Sequence, residues 1–80
     1  MSAQVNYQRI RPGLIVVYKV KNPDVPERAT RLWFGKVEDV SRNKENPSVG
    51  FCYVTVVADE GYNGISEIVF FDQILKVMRP

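Results

Sequence analysis

Every uninterrupted apolar run in this sequence is short. The longest, Leu14 to Tyr18, covers five residues, which is a strand's length and far below the ~18 residues that a membrane span requires. Pro12-Gly13 opens this run, which continues to Val20 and is rich in β-branched and aromatic residues. Pro23 and Pro26 then interrupt the pattern twice. Neither a helix nor a central strand tolerates that spacing, so residues 21–30 read as one long loop.

A second strand is expected from about Arg31 to Ser41. Its alternation puts Trp33, Gly35 and Val37 on one face and Phe34, Lys36 and Glu38 on the other. Val40 is out of phase with Val37, which a β-bulge near Glu38-Asp39 explains. A glycine inside a strand, here Gly35, marks a bend or a close backbone approach. Residues 42–48 form a polar loop. A third strand, Val49 to Ala58, carries apolar side chains on both faces, and Asn63-Gly64 supplies a tight turn before a fourth strand at Glu67 to Phe71. Asp72-Gln73-Ile74 has room for one helical turn capped by Asp72, and Leu75 to Met78 closes the chain as a short strand.

The expectation is therefore an all-β domain of five strands, with a long first loop and one helical turn before the last strand. Strands apolar on both faces in so few residues favour closure into a barrel, which removes exposed edges. Residues 12–80 form this domain, and residues 1–11 read as a flexible or loosely docked arm.

Composition narrows the chemistry. The 80 residues include no histidine and one cysteine. Ser-His and Cys-His nucleophile pairs, imidazole ligands, an intrachain disulfide and a zinc site within one chain are thereby excluded. Cys52, between Phe51 and Tyr53, reads as a small buried hydrophobe. Neither a catalytic site, a metal site nor a cofactor site is expected. The net charge is only +2, but residues 1–44 hold nine Lys and Arg against four Asp and Glu, while residues 45–80 hold two against five. That asymmetry suggests a basic surface from the first half. Without a signal peptide or membrane span, the location expected is cytoplasmic or otherwise intracellular.

Three pieces of sequence are similar to the SH3-like small barrels, closest in pattern to the Tudor type. They are Pro12-Gly13 leading into an apolar strand, Trp33-Phe34-Gly35-Lys36-Val37 followed by Val40, and Phe70-Phe71-Asp72-Gln73-Ile74-Leu75. The resemblance implies a barrel closed by a strand, a helical turn and a strand. It also implies an aromatic cage for a methylated lysine or arginine, held by cation–π attraction. Trp33 and Tyr62 match cage positions. Val20 or Lys21 and Val57 or Ala58 stand where further aromatic walls belong, with Tyr18 as a substitute for the first. A Trp in so small a barrel is more often core than cage, so Trp33 is also a candidate for the core.

Three functional readings follow. A peptide or protein recognition module would use Trp33, Phe34, Tyr53, Tyr62, Arg31 and Lys36, with Phe34 pointing outward if Trp33 points in. A nucleic-acid-binding barrel would use Arg9, Arg11, Lys19, Lys21, Arg28, Arg31, Lys36, Arg42 and Lys44 against DNA or RNA phosphates, with Phe34 or Tyr53 stacking a base. A docking subunit of a larger complex is the third, and self-association is left open. A small tetrameric dihydrofolate reductase also has this length and barrel, but its glutamine and tyrosine strand corresponds to Ile68-Val69-Phe70 here. The reading taken is a non-catalytic binding module for a protein or peptide, with no membrane partner.

Overall fold

Alternating burial organises the structure, a computed structural model that describes residues 5–21 and 23–80. The strands are β1 (Ile15–Tyr18), β2 (Trp33–Arg42), β3 (Gly50–Val57), β4 (Ser66–Phe70) and β5 (Ile74–Met78). They form one antiparallel sheet in the order β4-β3-β2-β1-β5. Trp33, Gly35 and Val37 are buried on the inner face, whereas Phe34, Lys36 and Glu38 face outward. The β2–β3 register shifts between Val37 and Asp39. The bulge therefore lies where the phase of Val40 placed it, and it lets β2 bend around the core.

The core beneath the inner face combines Val16 and Tyr18 of β1, Trp33 and Val37 of β2, Cys52, Val54 and Val56 of β3, and Val69 of β4. Gly35 is the narrow point of this packing. A Cβ there would lie 2.7 Å from Val54 Cγ2 and 3.1 Å from the Tyr18 ring. Phe71, the first residue of a 3-10 turn over Phe71–Gln73, and Ile74, which follows the turn, both belong to the core. Phe70 and Phe71 point oppositely, the first exposed and the second buried.

Four expectations change. Closure into a barrel is not seen as hydrogen bonding: among the described residues β4 and β5 are the two ends of the sheet and do not pair. Curvature brings core residues together, but the ladder stays open. The loop at 21–30 contains a short helix, α1 (Pro26–Ala29). Pro26 stands at its start, where a missing N–H costs nothing and the fixed φ favours the helical turn. Residue 22 of that loop lies outside the described residues.

The 3-10 turn is not capped by Asp72. The Phe70 N–H instead donates to Gln73 Oε1 at 2.9 Å, and Gln73 Nε2 donates to the Lys19 carbonyl at 2.8 Å. A glutamine three residues on can reach back to the start of so short a turn, while Asp72 points outward to Lys21, 3.2 Å away.

The arm is docked over the part that is described, residues 1–4 lying outside it. Ile10 is fully buried, and Tyr7 stacks on Phe71 at 5.5 Å with nearly parallel rings. Arg42 donates to the carbonyls of Tyr7 and Ile10 and so ties this segment to the end of β2. Polar neighbours on both sides of Ile10 conceal it in the sequence as an anchor. No helix among the described residues is long and apolar enough to cross a membrane.

Candidate functional site

The six residues singled out for recognition divide between two places. Trp33, Tyr62 and Arg31 gather at one end of the sheet, where α1, the start of β2 and the β3–β4 turn meet. Trp33 is 1% exposed and therefore a core residue. Its indole N–H donates to the Arg28 carbonyl at 3.0 Å, and its ring meets the Tyr62 ring edge-on at 4.9 Å.

The cation that this aromatic pair attracts comes from the chain itself. The Arg28 guanidinium lies 4.3 Å from the Trp33 ring centroid and 5.3 Å from that of Tyr62, and the Arg31 guanidinium lies 4.1 Å from the Trp33 ring. Arg28 Nη1 and Nη2 grip the Glu67 carboxylate at 2.9 and 2.7 Å, a two-point arrangement that fixes the guanidinium plane. Tyr18 donates its hydroxyl to the same carboxylate. Arg31 pairs with Asp59 and with Glu27. Asp59 also accepts the N–H groups of Gly61 and Tyr62, each at 3.0 Å, which shapes the turn that presents Tyr62.

The charges of this cluster are mutually set. Burial alone would raise the Glu67 carboxyl, but hydrogen bonds from Arg28 and Tyr18 outweigh it and hold the group below its ordinary range. Burial, and then the Glu67 carboxylate, push the Tyr18 phenol far above its ordinary value. Neither group changes charge near neutrality. The cluster is a filled cation site that fastens the first long loop to the sheet.

Phe34, Tyr53 and Lys36 lie elsewhere, on the outer face. Phe34 is 36% exposed and pairs across the sheet with Val17 and Val57. Lys36 pairs with Ile15 and Thr55 in the next row. Tyr53 lies opposite Asp39 and Ile68. Val57 and Tyr53 are four residues apart along β3, about 13 Å, so Phe34 and Tyr53 do not form one patch. Between them, Thr55 donates its hydroxyl to Glu38 at 2.8 Å.

Tyr53 instead belongs to a group that the sequence reading missed. Ile68 faces it on β4, and the adjoining row pairs Phe51 with Phe70. Tyr53, Ile68 and Phe70 are 46%, 47% and 46% exposed. Phe51 meets Tyr53 and Phe70 edge-on at 5.5 and 5.7 Å, so the three rings form one continuous surface. Aromatic side chains of about 200 Å² at this exposure give an uncharged patch of about 300 Å², at the lower end of the range of about 300–600 Å² for the largest apolar patch on a monomer. The signal was present in Ser66-Glu67-Ile68-Val69-Phe70: once Glu67 and Val69 face the core, Ile68 and Phe70 must face out.

Cys52, on the inner side of β3, is fully buried, and burial pushes its thiol up to about 11. The chain matches no family model, no curated protein and no solved structure.

Proposed function

We propose that this protein is a non-catalytic binding module that holds a protein or peptide partner on the outer face of β3 and β4. The observation that carries the reading is the exposed Tyr53, Ile68 and Phe70 joined by the half-buried Phe51, three rings and an isoleucine on rigid strands with no charge among them. Rigid aromatic anchors of this kind dominate binding energy where a partner excludes water from them. Lys21, 5.6 Å from the Phe70 ring centroid, supplies a cation at the rim. Phe34 and Lys36 extend the surface across β2 for a partner long enough to span it.

The fold proposed with it is an SH3-like small barrel of Tudor-like pattern. Its support is the meander in which the last strand returns to pair with the first, the bulged second strand, and the 3-10 turn entering β5. A methylated target is not part of this reading. Trp33 is buried, and Arg28 and Arg31 already occupy the place a methylated cation would take.

Selection from a displayed peptide library tests the function. Peptides enriched on the native protein should lose binding to the Ile68→Lys variant, which places a charge at the centre of the patch while leaving the core untouched. Enriched peptides that bind Ile68→Lys equally well would exclude this face.

A further inference from the structure

A groove of about 600 Å³ lies at the opposite edge of the sheet, between the docked N-terminal segment and β5. Its wall on the β5 side is formed by residues 75–79 without a gap. The register with β1 shifts at Leu75, and beyond it Lys76, Val77 and Met78 point to alternate faces, so the groove follows the edge of β5 instead of crossing one face. That edge is unpaired among the described residues, because β5 bonds only to β1.

The charge of the groove is one-sided. Arg9, Arg11, Lys76 and Arg79 line it, and no Asp or Glu does. Lys21, Arg28 and Arg31 are all held by carboxylates, but these four cations make no ion pair among the described residues. Between them the lining is apolar apart from Asn6, with Leu14, Leu75, Val77 and Met78. We infer that this groove binds an extended acidic peptide segment, which adds to β5 as a further strand and sets its carboxylates against Arg9, Arg11, Lys76 and Arg79.

Three features favour this occupant. An unpaired strand edge offers a row of backbone donors and acceptors that an extended chain satisfies and a folded surface does not. A second copy of the same edge would bring like charges together, which keeps two β5 strands apart. The lining includes no aromatic ring, so bases have no stacking platform of the kind single-stranded nucleic acid uses. The site is separate from the β3–β4 face, and either can fail without the other.

Fluorescence anisotropy with a labelled peptide of about eight alternating Glu and Val residues, long enough to span five strand residues, tests the inference. Binding should saturate and weaken from about 50 to about 300 mM salt. Lys76→Glu and Arg79→Glu should each reduce affinity about fivefold, the worth of one exposed charge pair made repulsive. Lys44→Glu, which changes the net charge equally outside the groove, should shift it less than twofold, about the scatter expected of a remote screened charge. A peptide with proline at its centre should bind much more weakly, since proline cannot donate to a strand edge. Thermal melts of each variant establish that it is folded. Absence of binding, indifference to Lys76→Glu and Arg79→Glu, or equal binding of the proline peptide overturns the inference. Tighter binding of an oligothymidylate of matched charge overturns it in favour of nucleic acid.

Discussion

Replacing Glu67 with leucine should strand the Arg28 guanidinium among Trp33, Tyr62 and Tyr18. The two side chains of the pair are 13% and 20% exposed, and Glu67 also accepts the Tyr18 hydroxyl. Removing one partner of a buried ion pair costs about 3–5 kcal/mol. Residual exposure lets water reach the abandoned cation, so the low end applies, about 3 kcal/mol. For a domain of this size each kcal/mol moves the melting temperature by about 4–8 °C, giving a fall of about 12–24 °C. Urea unfolding followed by the fluorescence of Trp33, the single tryptophan and part of this cluster, reads the change directly. Arg28→Leu combined with Glu67→Leu should recover most of the loss, because two apolar groups leave no unpaired charge. The acid limb gives a second readout. The Glu67 carboxyl is held below its ordinary value in the folded state, so its contribution is complete above the unfolded value of about 4.3 and is lost as pH falls through the lower folded one. The native protein should lose this stability in that window, and Glu67→Leu should lack that component. A loss under about 0.5 kcal/mol, the size of an ordinary surface substitution, or a double variant as unstable as the sum of the singles, contradicts a mutually dependent buried pair.

Further outcomes follow from single positions. Gly35→Ala should destabilise by about 1–3 kcal/mol by overpacking, since its Cβ would meet Val54 at 2.7 Å; denaturant titration measures it. Ala58 has a φ of 59°, so Ala58→Gly should relieve about 1 kcal/mol of left-handed strain and raise the melting temperature. Cys52, buried with its thiol pushed up to about 11, should react with a thiol reagent at about pH 8 only as fast as the protein unfolds, which a labelling time course against urea determines.

Much of the sheet was legible because burial imposes a two-residue period. Trp33, Gly35 and Val37 face the core and Phe34 faces out, as alternation requires, and Val40 betrayed the bulge by falling out of phase. Elements fixed by single tertiary contacts were not legible. Ile10 reads as one apolar residue among polar ones, yet Arg42 and the core hold it down. The exposed aromatic surface was legible only in part. Tyr53 and Phe34 were found as exposed rings, but cross-strand register decides which rings are neighbours, and it joins Tyr53 to Ile68 and Phe70 instead of to Phe34. The basic first half overstates the free charge. Arg28, Arg31 and Lys21 are neutralised by carboxylates distant in sequence, Glu67, Asp59 and Asp72, which composition counts in the other half.

Amide shift mapping of the folded protein with a selected peptide bears most directly on the proposed role. Binding should move the resonances of Phe51, Tyr53, Ile68 and Phe70, leave those around the Arg28–Glu67 pair in place, and vanish in Tyr53→Lys and Ile68→Lys variants that melt like the native protein. Shifts confined to other surfaces, or binding that survives both substitutions, would contradict recognition by the β3–β4 face.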